Sequence, residues 1–183
     1  MTAMSSESAF PTAEWAREFG RGLADLRRGD RAWRICLIDG PNMSNLGAGG
    51  RDQRTYGVVP SLPALQTCMA GLAEGLGVAL ESYQSNHEGD IVAFIYDGAA
   101  ETDAYLINPA ALTRRGAPCA AALADSGRPY IELHFANIAA LGWLGGAIVT
   151  RGATGVVMGL RHYSYIGALF GLVAALDADA VGD

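Results

Sequence analysis

From Trp33 onward, short apolar runs alternate with stretches of helical periodicity, and few architectures accommodate that pattern. "WRICLID" has strand character. After a Gly-rich loop, Leu62, Leu65, Met69 and Leu72 share one face of a helix expected from about Ser61 to Leu76. A second strand, "VALESYQ", precedes the helical "EGDIVAFIYDGA". A third, "AYLINP", precedes "AALTRRGAPCAAALADSG", a helix weakened by Pro118. "PYIELHFAN" and "TGVVMGL" supply two more strands, and "HYSYIGALFGLVAAL" closes the chain with a helix. Strands that each hand over to a helix predict a parallel sheet covered on both faces.

Five such strands give an α/β expectation: a flavodoxin-like three-layer sandwich with a parallel sheet of order 2-1-3-4-5. The chain has 183 residues, half of them hydrophobic and 17% charged, enough for one core, so 33–183 reads as a single domain. Residues 1–32 stand apart as an extension. "TAMSSES" is polar, and Trp15, Phe19, Leu23 and Leu26 then recur at helical spacing behind Thr12, a candidate cap. The expectation is a helix from about Pro11 to Arg28 that docks on the core or on a neighbouring subunit, the alternative being a dispensable tail.

Other features narrow the function. No apolar run reaches the roughly 20 residues that span a bilayer, and the first thirty residues lack the basic-then-apolar pattern of a secretory signal. A cytoplasmic protein without membrane contact is expected. The net charge of −6 argues against nucleic acid as a partner, while local arginines leave room for a small anionic molecule. Cys36, Cys68 and Cys119 are odd in number and widely spaced, so they read as buried thiols and not as a disulfide or zinc framework.

In open parallel sheets, ligands bind beyond the carboxyl ends of the strands. Four polar segments fall there: "DGPNMSN", "SNHEG", "NPAALT" and "HFAN". The first continues into "LGAGGRDQRTYG", a Gly-rich loop that carries Arg51, Arg54 and Tyr56, more chemistry than a connector needs. Glu132 and His134 lie two apart on one strand and share a face, so the carboxylate can orient the imidazole and support its charged form. Asn42 and Asn108 also fit the common role of asparagine as a turn former. In "SNHEG", Asn86 is a candidate cap for the helix that His87 and Glu88 begin.

"GPN" with its arginine and tyrosine loop, "QSNHEG", "INPAALT" and "IELHFAN", in this order, resemble the type II 3-dehydroquinate dehydratases from about Ile35 to the C-terminus. The resemblance implies loss of water from a β-hydroxy ketone. That chemistry needs a base for the proton beside the carbonyl, stabilisation of the enolate and an acid for the departing hydroxyl. By resemblance Tyr56 is the base, His134 the acid oriented by Glu132, and Asn42 the holder of a water on the enolate. Asn108 binds substrate hydroxyls, and the backbone N–H groups of Phe135 and Ala136 hold the carboxylate. A phenol ionises at about pH 10 in isolation, and a cation favours the phenolate. Arg51 has that place by resemblance, with Arg54 second because the loop is two residues longer than usual. Gly47, Gly49 and Gly50 allow the loop to act as a lid. The resemblance implies no metal, flavin or nicotinamide, and a homo-oligomer of trimers grouped into dodecamers.

The departures lie in substrate recognition. Arg114 stands where the family has a histidine that touches substrate, and alanines around Ala121 replace an aspartate. "HFANIAALGWLGGAIVTRG" lacks the family's arginine- and histidine-rich stretch and offers Leu141, Trp143 and glycines. Arg151 is a candidate to fold back in place of the lost cation. Three functions follow: a dehydratase acting on 3-dehydroquinate or a related cyclic β-hydroxy ketone, a dehydratase or isomerase acting on a less polar biosynthetic ketone, or a non-catalytic module that binds a small anion. "NLGAGG" invites the last, but there is no G-x-G-x-x-G and no P-loop lysine. It also gives the Glu132–His134 pair no role.

Overall fold

Helix α1 (Ala13–Ala24) begins where Thr12 Oγ1 accepts a hydrogen bond from the Trp15 N–H, as the sequence pattern suggested. In the computed structural model, which describes residues 10–50, 53–57 and 59–179, this helix is shorter than expected at both ends. Past Ala24 the chain tightens into single turns, and the Arg27 side chain turns back to a buried ion pair with Asp177, Nε to Oδ2 at 2.7 Å. Trp33 Nε1 donates to the same carboxylate at 2.8 Å, which ties the end of the extension to the last helix.

Strand β1 (Arg34–Asp39) leads through the loop and the short helix α2 (Gln53–Tyr56) to α3 (Leu62–Leu76). Ser61 caps α3 through the Ala64 N–H, Pro63 occupies its first turn, and Gly77 ends it in the left-handed conformation. Next come β2 (Ala79–Gln84), α4 (Glu88–Gly98) and β3 (Ala104–Asn108). The segment after β3 is not one helix. Ala110–Leu112 forms a 3-10 turn, and α5 (Ala117–Asp125) starts only after Gly116. Pro118 lies in the first turn of α5, where its missing N–H would have had no partner, so it helps start that helix instead of weakening it. The chain ends with β4 (Tyr130–His134), β5 (Gly155–Met158) and α6 (Tyr163–Asp177).

The five strands are all parallel in the order β2-β1-β3-β4-β5, the flavodoxin-like arrangement expected. Side chains alternate across the sheet. Ile35, Leu37, Leu106 and Leu133 pack with α3 and α6 on one face. Cys36, Ile38, Tyr105 and Ile107 pack with α4 and α5 on the other. All three cysteines are buried and free; burial pushes the Cys68 thiol up to about 11 and the Cys119 thiol up to about 12, which keeps both protonated and unreactive.

Helix α1 docks on α3 through glycines. A Cβ at Gly71 would strike the Ala13 carbonyl, and one at Gly75 would strike the Arg17 carbonyl and lie 2.9 Å from the Gly20 Cα. With no side chains between them, the two backbones come into direct contact, and Ala16 is completely buried in the seam. Arg17 and Glu74 form an ion pair across it at 2.8 Å. Gly75→Ala is expected to cost about 1–3 kcal/mol by overpacking this seam. Thermal unfolding checks it, and an unmoved melting temperature would mean that the helices separate without penalty.

Candidate active site

The register brings the chemistry to one edge of the sheet. Asp39 pairs with Asn108 across β1 and β3, and His134 ends β4 beside Met158 of β5. Beyond these ends lies a cavity of about 480 Å³. Its wall includes Asn42, Tyr56, Asn108, Arg114, His134, Phe135 and Ala136, so seven sequence-selected residues meet in one place.

His134 Nε2 lies 2.6 Å from Glu132 Oε1, and Glu132 is fully buried behind it. A buried carboxylate that accepts the Nε2–H fixes the ring's tautomer and orientation, leaving Nδ1 as the ring nitrogen available to a substrate. The other Glu132 oxygen has no hydrogen-bond partner among the described residues, so the imidazole is its compensating group.

The loop after β1 is shaped by close backbone approach. A Cβ at Gly40 would lie 2.5 Å from the Pro109 carbonyl oxygen, and the Gly40 N–H donates to the Asn108 carbonyl at 2.8 Å. Asn42 then adopts a left-handed φ of 69°. Its N–H donates to Asn86 Oδ1 at 2.8 Å, and Asn86 Nδ2 donates to Ser44 Oγ at 3.1 Å. Asn86 is therefore not the cap of α4 expected from "SNHEG". His87 takes that position without a side-chain bond, and Asn86 staples the loop that carries Asn42 to the end of β2.

Asn108 is buried, and its amide is engaged on both sides. Oδ1 accepts the Ala110 N–H at 3.2 Å, and Nδ2 donates to Tyr165 Oη at 2.8 Å. Tyr165 in turn donates to Asp39 Oδ1 at 2.7 Å. Asp39 is fully buried, its Oδ2 has no partner among the described residues, and burial pushes its carboxyl up to about 7 against the opposing Tyr165 hydrogen bond. This network joins residues far apart in sequence, and no spacing signal announces it.

The segment that departs from the family pattern folds over the cavity. The Ile148 N–H donates to the Thr113 carbonyl at 2.7 Å, and the Trp143 N–H donates to the Ile138 carbonyl at 2.9 Å. These turns set Ile138 and Trp143 into the wall. Arg114 lines the cavity with its guanidinium close to Gly146 of this segment, and Arg115 and Thr113 also line it, two residues the sequence did not single out. Arg151 belongs to the turn Val149–Gly152 and is absent from the cavity wall, so the structure does not bring it in as a replacement cation. Arg51, and the side chain of Arg54, lie outside the described residues.

A buried Glu–His pair, a tyrosine in the loop after β1 and two asparagines thus meet at the carboxyl edge of a parallel sheet on a flavodoxin-like frame. The family model of class II dehydroquinases matches residues 33–173, and the chain belongs to that family: it is a carbon–oxygen hydro-lyase of the type II dehydroquinase kind that acts on a small molecule. It is 38% identical over 136 residues to the catabolic 3-dehydroquinase 2 of Neosartorya fischeri, which covers 74% of this chain and 89% of that protein. It is 39% identical over 132 residues to the catabolic 3-dehydroquinase 1 of Aspergillus terreus, covering 72% and 85%. Among solved structures it is similar to the type II dehydroquinase of Butyrivibrio crossotus, with a TM-score of 0.70 at 28% identity over 77% of this chain and 97% of that one. The corresponding enzyme of Propionibacterium acnes gives a TM-score of 0.69 at 27% identity, covering 82% and 100%.

Proposed function

We propose that the chain dehydrates 3-dehydroquinate by base-then-acid elimination. The observation that carries this reading is the buried 2.6 Å His134–Glu132 pair opening onto the same cavity as Tyr56. Tyr56, as the phenolate, removes the proton beside the ketone, and the electron pair moves onto the carbonyl oxygen as an enolate. A water held by Asn42 stabilises that charge. Collapse of the enolate expels the hydroxyl, which takes a proton from His134 and leaves as water. The N–H groups of Phe135 and Ala136 hold the substrate carboxylate, and Asn108 binds the ring hydroxyls.

A second reading has its own observation. Met43, Phe135, Ile138 and Trp143 make much of the cavity wall apolar, which favours a less polar cyclic ketone. Incubation with 3-dehydroquinate, followed by the ultraviolet absorbance of the conjugated enone carboxylate, separates the two. Product is expected; a folded protein that forms none would move the assignment to the less polar substrate.

Residues 1–32 are an extension to the catalytic domain 33–183 in this reading. The chain works in the cytoplasm as a trimer-based homo-oligomer, and light scattering that finds only monomer would refute that assembly.

A further inference from the structure

Arg161, in the turn between β5 and α6, adopts a left-handed backbone with φ 58° although it is not glycine. That conformation costs a side chain with a Cβ about 1–2 kcal/mol, so something around it must compensate. Its N–H donates to the Phe135 carbonyl at 3.0 Å, and the Ser164 N–H donates to its own carbonyl at 3.2 Å. The turn thus hangs from the strand end that carries His134. The side chain runs the other way, onto Gly57, the residue after Tyr56. A Cβ at Gly57 would lie 2.6 Å from Arg161 Nε and 2.9 Å from Cζ, and Gly57 itself has φ 72°. The guanidinium has no carboxylate partner among the described residues. From the extension, the Phe10 ring packs edge-on against His162, the next residue, at 5.0 Å.

We infer that Arg161 is a positioning residue for Tyr56: it clamps the closing end of the lid at Gly57 and places a positive charge beside the base, linking the lid to the strand that holds the acid. This rests on the assignment of Tyr56 as the base. The cation expected from the sequence was Arg51, within the lid. A cation at Arg161 differs in kind, because it comes from the turn between β5 and α6 and not from the loop that carries the base. The glycine at 57 is then required twice, for its backbone conformation and for the space the guanidinium takes.

Other charged and titratable groups bear on Tyr56. His134, Arg114 and Arg115 line the same cavity, Glu132 stands behind His134 and His162 adjoins Arg161, while Arg51, Asp52 and Arg54 precede Tyr56 in the sequence. The test must therefore isolate Arg161. Wild type, Arg161→Met, Arg161→Lys and Arg161→Gly are compared by kcat and KM on 3-dehydroquinate. Each is also compared by ultraviolet phenolate titration, with Tyr56→Phe subtracted to isolate that one phenol.

Arg161→Met is expected to lower kcat at neutral pH about tenfold or more while KM moves less than about threefold, and to shift the phenolate titration to higher pH. Arg161→Lys should return the titration toward wild type. Arg161→Gly relieves the backbone strain, so it should fold at least as stably as wild type and still lose the activity, which a purely structural role for Arg161 does not predict. A folded methionine or glycine variant with an unmoved titration would overturn the proposal. If the wild type forms no product, the substrate assignment fails on its own, and the titration still decides the role of Arg161.

Discussion

Replacing His134 by alanine is expected to lower kcat by about 10²–10⁴-fold, the range for loss of a positioned general acid. The same change removes the partner of a fully buried carboxylate, because Glu132 Oε1 bonds His134 and Oε2 bonds nothing among the described residues. Stability should therefore fall as well, by about 1–3 kcal/mol. Two further variants separate the effects. Glu132→Gln keeps a hydrogen-bonding group behind the imidazole but removes the carboxylate that accepts its Nε2–H and fixes its tautomer, so kcat falls while melting moves less. In the Glu132→Ala/His134→Ala double variant no charge is left stranded, so its loss of stability should be smaller than the sum of the single losses. Steady-state kinetics and urea unfolding on the same samples check both. A folded His134→Ala protein with wild-type kcat would remove the acid from its assigned role.

Asp39 carries the second large effect, on stability against pH. Its carboxyl is raised from 3.8 to about 7 by burial, so between those values the folded chain holds a proton that the unfolded chain has released. Under linkage, stability then falls as pH rises from about 4 to about 7 and stays low above that. About three pH units correspond to on the order of 4 kcal/mol. Burial holds His162 below its ordinary value, and Arg161 adds to this, so His162 acts in the opposite sense, costing stability as pH falls. A difference curve isolates Asp39. Wild type minus Asp39→Asn, by urea unfolding from pH 4 to 8, should slope downward with rising pH, leaving the asparagine variant relatively more stable at pH 8. A flat difference would mean that water reaches the carboxylate.

The same carboxyl bears on recognition, since it holds Tyr165, which holds Asn108 at the cavity wall. Ionisation of Asp39 strengthens its claim on the Tyr165 proton and thereby fixes which way that hydroxyl and the Asn108 amide point. A residue expected to meet substrate hydroxyls is thus aimed from behind by groups on two other elements.

What could be read in the sequence was local. Thr12 and Ser61 announce helix starts because a cap needs only its own next three residues. The parallel sheet follows from the alternation of strands and helices, the 2-1-3-4-5 order from the flavodoxin-like expectation for five strands, and the Glu132–His134 pair from a two-residue period on one strand. What could not be read depends on contacts between distant segments. The α1–α3 seam needs Gly20, Gly71 and Gly75 to meet, and nothing in either helix alone says that they do. Asn86 looked like a cap because Asn often is one; its alternative partners, Asn42 and Ser44, lie over forty positions earlier. Pro118 weakens a helix only if that helix runs through it; α5 starts at Ala117, and a proline changes meaning between a first turn and an interior. Arg161 gave no signal, since a left-handed arginine leaves no trace in composition or periodicity.

The central claim is that Tyr56 takes the proton before His134 gives one, through an enolate. It is tested most directly by deuterium uptake into 3-dehydroquinate in heavy water, read by mass spectrometry against a buffer control. His134→Ala should exchange the proton beside the ketone faster than buffer while forming almost no product, because the enolate forms and returns. Tyr56→Phe should exchange no faster than buffer. Exchange that persists in Tyr56→Phe would contradict the account and give the base to another group.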